Sequence, residues 1–235
     1  MKEESEYEST GNLNGYSHSF IPIGTLRRLE TLQIDLTKDE KKLLMEVHKK
    51  TRREIINKGG EELEYVISET PTNQDLKKFQ VFYNIFAKNK KTHICNSFHI
   101  KTMKLLRDKK ALVFTYMQDK HQDILCYRIY ITDGIVVMNM YSASHYRLMD
   151  STVRKRMLSR ANRLLIWKSI MWFKERGHKL YDMGGLTCDE NIRKFKLGFG
   201  GEIVSVYSGY EAHSYAGKII LKIRHSIFSL AGKKS

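Results

Sequence analysis

Two double-glycine turns bracket a short basic segment in Tyr181-Asp182-Met183-Gly184-Gly185 and Asn191-Ile192-Arg193-Lys194-Phe195-Lys196-Leu197-Gly198-Phe199-Gly200-Gly201. Five of the chain's 15 glycines fall between 181 and 201, and glycine is placed where backbone takes positive φ or approaches another surface closely. The chemistry such a segment suits is the holding of an anion. Backbone N–H groups near Gly184 and Gly185, at the start of a short helix, would favour negative charge, and Arg193, Lys194 and Lys196 would add to it. The plainer alternative is that these residues only hold the glycine turns in shape.

Two further cationic groups stand elsewhere. Lys49-Lys50-Thr51-Arg52-Arg53 reads as one helix face, and arginine forks bind phosphate in bidentate geometry. A solvated surface explains that group as simply. Arg156, Arg160 and Arg163 recur at helical spacing with Trp167 one turn on; such a face holds phosphates and stacks a base. It is equally a solvated stripe opposite Leu158, Ala161, Leu165 and Trp172.

The elements that would position these residues follow from patterning. Leu29 to Leu36 reads as a strand. Thr37 and Glu40 have the spacing of a capping box, opening a helix with Leu43, Leu44, Val47, Ile55 and Ile56 that stops at Gly59-Gly60. Leu63 to Ser68 is a strand, and helices are expected over Asn73–Lys88 and Ile100–Arg107. Ala111–Met117, Asp123–Thr132 and Ile135–Tyr141 form a meander, the last two strands joined by the hairpin signal Asp133-Gly134. A long helix from Val153 to Arg176 precedes the strand Lys179–Met183, the glycine segment, the strand Ile203–Tyr207 and a C-terminal amphipathic helix. That helix sets Ile220, Ile223, Ile227 and Leu230 on one face and Lys222, His225, Ser226 and Ser229 opposite. The order gives an α+β layered fold, with the long helix crossing over between strands.

Composition sets the outer bounds. The chain has 235 residues with 41 Lys and Arg against 26 Asp and Glu, a formal net charge of +15; that excess suits an anionic partner such as nucleic acid, a nucleotide-linked substrate or an acidic membrane. Residues 1–20 are expected to be a disordered acidic tail and 21–235 a single domain. Cys95, Cys126 and Cys188 are far apart, as in a reduced cytoplasmic protein. No Walker loop, dinucleotide fingerprint, H-E-x-x-H or G-x-S-x-G occurs. The histidines are scattered singly, and neither a metal site nor covalent serine or cysteine catalysis is expected.

Asp182-Met183-Gly184-Gly185 with Lys194-Phe195-Lys196-Leu197-Gly198-Phe199-Gly200-Gly201-Glu202 resembles the glycine motif of the Fem-type aminoacyltransferases, which build peptidoglycan interpeptide bridges. His48-Lys49-Lys50-Thr51-Arg52-Arg53-Glu54-Ile55 is similar to that family's Lys-x-x-Arg-x-x-Ile helix, and Leu164-Leu165-Ile166-Trp167 to its long helix; the likeness covers roughly residues 29 to 212. The resemblance implies a GNAT-like acyltransferase fold and transfer of an activated acyl group to an amine with no covalent enzyme intermediate. The acceptor it implies is an amine on a nucleotide- or lipid-linked sugar or cell-wall precursor. The donor is acyl-CoA or aminoacyl-tRNA: the chain has room for one such domain where Fem enzymes typically carry two, and the GNAT pyrophosphate loop is replaced by Ser151-Thr152-Val153-Arg154-Lys155-Arg156.

On this resemblance, Arg52, Arg160, Arg163 and Lys196 bind anions, while Tyr141, Ser142, Gly184, Gly185 and Phe199 line the ligand site. Asp182 is the best carboxylate for a general base, with a buried structural use as the alternative, and Lys196 stabilises developing negative charge. A catalytically dead module that binds RNA or an acidic membrane is a reading of a different class. The expected location is the cytoplasm or the inner face of the membrane, with the C-terminal helix as a peripheral contact.

Overall fold

The computed structural model describes residues 13–22, 26–56, 63–187 and 189–232, with side chains to residue 224 apart from that of Ser17. Gly59-Gly60, Lys58, Cys188, the first 12 residues and the side chains of His225, Ser226, Ile227, Ser229 and Leu230 lie outside that description. The chain divides into two compact units, Leu32–Glu202 and the paired segments Met1–Thr31 and Ile203–Ser235.

The larger unit is built on strands β3 (Leu63–Ser68), β4 (Leu112–Asp119), β5 (Ile124–Thr132), β6 (Val136–Ser144) and β7 (Leu180–Gly185), ordered β7-β6-β5-β4-β3. Neighbours from β3 to β6 are antiparallel, whereas β6 and β7 are parallel. A parallel pair needs a crossover, and α5 (Thr152–Glu175) supplies it. The turn between β5 and β6 closes as Asp133-Gly134 predicts: Asp133 Oδ1 accepts from the N–H of Ile135 at 2.8 Å and of Val136 at 2.7 Å.

Strand alternation sorts side chains to the two faces. Phe114, Tyr127 and Ile129 face α3 (Asn73–Lys90) and α4 (Ser97–Asp108), packing with Leu76, Phe79, Tyr83 and Met103. Val113 and Tyr130 point the other way, into a core with Ile166, Ile170 and Phe173 of α5. Thr72 closes a capping box with Asp75 at the start of α3.

The expected helix over 37–56 is two helices, α1 (Glu40–Glu46) and α2 (Lys49–Ile56). Val47 is extended (φ −66°, ψ 131°), and the N–H of His48 donates to the carbonyl of Gly198 at 3.0 Å. The second glycine turn thus docks where a continuous helix would have kept its own hydrogen bonds. The cap is Asp39, which accepts from the N–H of Lys42 at 2.8 Å; Thr37 turns back instead to Asp35 Oδ1.

The smaller unit contains β1 (Leu13–Ser19), the start of β2 (Arg27–Asp35), β8 (Glu202–Ala212) and α7 (Tyr215–Gly232), with β1 antiparallel to β8. Residues 13–19 therefore form a strand where a tail is expected. Leu-Asn-Gly-Tyr-Ser-His-Ser has little β-propensity, and backbone pairing to β8 orders it. On α7, Ile219, Ile220 and Ile223 are exposed, and Arg224 lies over the Tyr210 ring at 4.3 Å. No described helix is long and apolar enough to cross a membrane.

Candidate active site

The parallel pair β6/β7 does not stay paired. Register runs only from Val136↔Leu180 to Met138↔Asp182, although β6 continues to Ser144 and β7 to Gly185. On its other side β6 carries a bulge: Ile129 pairs with Tyr141 and Tyr130 with Asn139, leaving Met140 over. A bulge bends its strand and frees backbone groups. An opening at the carboxyl ends of parallel strands is where α/β sheets take ligands.

Asp182, 2% exposed, stands at the last paired position. Its Oδ1 accepts from the N–H of Gly184 at 2.7 Å and its Oδ2 from Gln33 Nε2 at 3.0 Å. Gly184 has φ +74°, and a Cβ there would lie 3.0 Å from the Asn139 carbonyl oxygen. That position combines the left-handed conformation with close approach of β6, so only glycine suits it.

Lys196 lies on α6 (Glu190–Leu197) and closes the turn from the other side. Its ammonium donates to the carbonyls of Met183 (2.8 Å), Gly184 (3.0 Å) and Gly185 (2.9 Å). All three donors are thereby used. Burial, and next the nearby Arg128 guanidinium, lower its pKa from 10.5 to about 8 against the opposing pull of Asp182. Lys90 at the end of α3 adds to the same positive field.

The expectation that Gly184-Gly185 opens a helix, with free N–H groups for an anion, is corrected by this geometry. The Gly184 N–H is taken by Asp182, the carbonyls of 183–185 converge on Lys196, and α6 begins five residues later. Asp189 caps α6, accepting from the N–H of Asn191 and Ile192, so its own carboxylate answers the helix dipole.

Arg128 is the residue that sequence reasoning missed. Centred in β5 and 3% exposed, it donates from Nη1 to Asn139 Oδ1 and, at 3.0 Å, to Ser142 Oγ. Its Nη2 donates to Asn162 Oδ1 at 3.1 Å. Ser142 in turn donates to Asn139 Oδ1 (2.9 Å), and Asn139 Nδ2 donates to the Tyr141 carbonyl (2.9 Å), tying the guanidinium to the bulge. The available signal was a lone charge inside the apolar run Ile-Leu-Cys-Tyr-Arg-Ile-Tyr-Ile-Thr, since unpaired arginine is almost never fully buried.

The structure thus gathers Asp182, Gly184, Gly185 and Lys196 at the end of β7 and sets Ser142 near the end of β6, where the ladder between the two strands has stopped. It sets the others in different surroundings. Tyr141 packs edge-on against Phe79 (5.6 Å) and Tyr83 (5.1 Å) on the α3 side, where burial raises its pKa. Phe199 is core, 2% exposed and edge-on to Phe195. Arg52 folds back on Met45, 3.0 Å from its Sδ. Arg163 pairs with Glu54 (3.1 Å) and covers the Phe195 ring, while Arg160 lines a groove with Leu164, Trp167 and Met171. Of the arginine stripe of α5, Arg163 is therefore engaged in packing between helices.

Burial pushes the Cys126 thiol up to about 12 and Cys95 to about 11, which leaves both poor nucleophiles at neutral pH. Among the described residues no group of three or more His, Cys, Asp or Glu is placed to hold a metal ion.

The α+β sheet, mostly antiparallel with one parallel pair crossed over by one long helix, is the fold that FemX has. FemX superposes with a TM-score of 0.62 at 10% identity, over 90% of this chain and 68% of that one. The C-terminal domain of a putative lysylphosphatidylglycerol synthetase from Agrobacterium fabrum superposes with a TM-score of 0.55 at 12% identity, over 86% of this chain and 66% of that one. The chain spans about two thirds of the length of each. No protein-family model and no curated protein matches the sequence.

Proposed function

We propose that this chain is an N-acyltransferase that moves an activated acyl group, carried by a CoA-type thioester, to an amine on a nucleotide- or lipid-linked sugar or cell-wall precursor. The observation that carries the reading is the end of the β6/β7 ladder: a parallel pair whose pairing stops at Met138/Asp182, with a bulge on one strand and a lysine-locked glycine turn on the other. A slot of this kind admits an extended donor between the strands and leaves its acyl carbon at the mouth. The acceptor nitrogen then attacks that carbon, the thiolate departs with the bonding pair, and the nitrogen gives up a proton to the leaving group or water. Holding the two reactants together supplies much of the rate.

The residues divide the work. Lys196 fixes the carbonyls of 183–185 and keeps positive charge at the mouth, where negative charge develops on the acyl oxygen. Asp182, with both oxygens engaged by the scaffold, acts as a positioning residue for the Gly184 turn. Ser142, exposed at the end of β6, meets the acceptor.

The net charge of +15 favours a second donor, aminoacyl-tRNA, and the likeness to FemX and to a putative lysylphosphatidylglycerol synthetase domain gives that reading its form. Calorimetric titration of the full chain with acetyl-CoA and with aminoacyl-tRNA, each at two salt concentrations, separates the two. Saturable CoA binding that survives added salt supports the first donor. Tight tRNA binding that collapses with salt, without a CoA response, supports the second. Polyanion binding with no turnover of either donor would leave a binding module and overturn the transferase reading.

A further inference from the structure

Arg128 carries a full positive charge in the interior, and among the described residues no carboxylate pairs with it. All three of its partners, Asn139, Ser142 and Asn162, are neutral oxygens, and its buried Nε has no partner. A guanidinium taken out of water is costly unless its charge is matched. The second charge nearby makes matters worse, because Arg128 and the lysine of α6 repel one another. Asp182 opposes that effect on Lys196, and its oxygens accept from the Gly184 N–H and from Gln33. Around Lys196 the cations Arg128 and Lys90 act against the acid Asp182, which leaves positive charge in surplus there.

One of the three partners is replaceable. Asn139 is 9% exposed and Asn162 half-buried, but Ser142 is exposed at the surface end of β6. Its hydroxyl stands 3.0 Å from Arg128 Nη1, where a ligand oxygen would sit if the serine rotated away. Serine makes that rotation readily, and its hydroxyl can then donate to the arriving group.

We infer that the β6/β7 opening binds one oxyanion group of the ligand, a carboxylate or a phosphate, with Arg128 as its anchor and Ser142 as the gate it displaces. The anion supplies the missing charge and accepts from Nη1 in the charge-assisted geometry that makes arginine contacts strong. The inference gives the acyl-transfer substrate a required negative group. It rests on that reading only in calling the ligand a substrate.

The test uses the full chain with no acyl donor, so failure of donor binding leaves it standing. Melting temperature is measured against sodium acetate and against sodium phosphate, each compared with sodium chloride at equal ionic strength. At ten times the dissociation constant, the specific anion should raise the melting temperature by about 3–6 °C. A response to acetate alone identifies a carboxylate, and one to phosphate alone a phosphoryl group.

Ser142→Asp places a built-in carboxylate beside Nη1. It should raise the melting temperature without added anion and abolish the response, whereas Ser142→Asn should do neither. No response of the wild-type chain to either anion beyond chloride overturns the inference. So does an undiminished response in Ser142→Asp, which would place the binding elsewhere.

Discussion

Asp182 and Lys196 share one task at residue scale: they hold the Met183-Gly184-Gly185 turn from opposite sides, the carboxylate by its N–H and the ammonium by its carbonyls. Asp182→Asn keeps an acceptor for the Gly184 N–H, and Gln33 can turn its amide to match. Its transfer rate is expected to stay within about tenfold of wild type, against the ~10²–10⁴-fold loss that follows removal of a general base. Steady-state kinetics with the melting temperature measured alongside decides between the two roles. For Lys196 the sign is set by its depressed pKa. Between about 8 and its ordinary 10.5 the unfolded chain holds a proton that the folded chain has released, so folded-state stability rises with pH through that window. Below pH 8 both states are protonated and the cost of burying the charge is carried in full. The melting-temperature difference between wild type and Lys196→Met, followed from pH 7 to 10.5, should move in favour of wild type as pH rises. A flat difference would show that the three carbonyls hold the lysine at its ordinary pKa.

The decisive feature among the elements is the way the second glycine turn wedges against α1 and β2. Gly201 has φ +87°, and a Cβ on it would lie 2.4 Å from the Gln33 carbonyl oxygen. Neither the conformation nor the contact tolerates a side chain. Gly201→Ala is expected to cost at least ~1–3 kcal/mol for backbone strain alone, read by urea denaturation, and to move Gln33 away from Asp182. Gly134→Ala makes the comparison: it also has positive φ, but nothing lies within 4 Å of its added Cβ. A smaller loss there separates strain from clash, and equal losses would remove the wedge from the explanation. The break between α1 and α2 belongs to the same contact. The apolar spacing of Leu43, Leu44, Val47 and Ile55 reads as a single helix, because periodicity carries no information about a turn 150 residues later that takes over the His48 N–H.

For the whole molecule the governing quantity is charge. A net +15 spread over the chain produces salt-sensitive attraction for any polyanion, whereas one buried arginine in a slot discriminates between small anions. The two respond differently to ionic strength: exposed charge is screened within about 8–10 Å at 0.10–0.15 M salt, and buried charge far less. Raising salt from 50 to 200 mM should therefore weaken tRNA binding by orders of magnitude if six or more phosphates are contacted, while the acetate or phosphate response at Arg128 should change little. Equal salt dependence of the two would mean that both report the same surface field.

The sequence by itself determined what depends on neighbours in the chain. The meander, the Asp133-Gly134 turn, the long crossover helix and the glycine motif all follow from local propensity, period and turn chemistry, and the resemblance carried by the motif led to the fold. Tertiary structure alone decided which charges meet. Arg160 and Arg163 have the spacing of a phosphate-binding face, yet Glu54 and the Phe195 ring claim Arg163 from other helices. Tyr141 and Ser142 are adjacent in sequence and part to opposite faces of β6, one into an aromatic core and the other to the mouth of the opening. Arg128 and Lys196 are 68 positions apart and feel one another's charge only through the folded structure. A charge's role is fixed by the dielectric and the partners around it, and both are properties of packing.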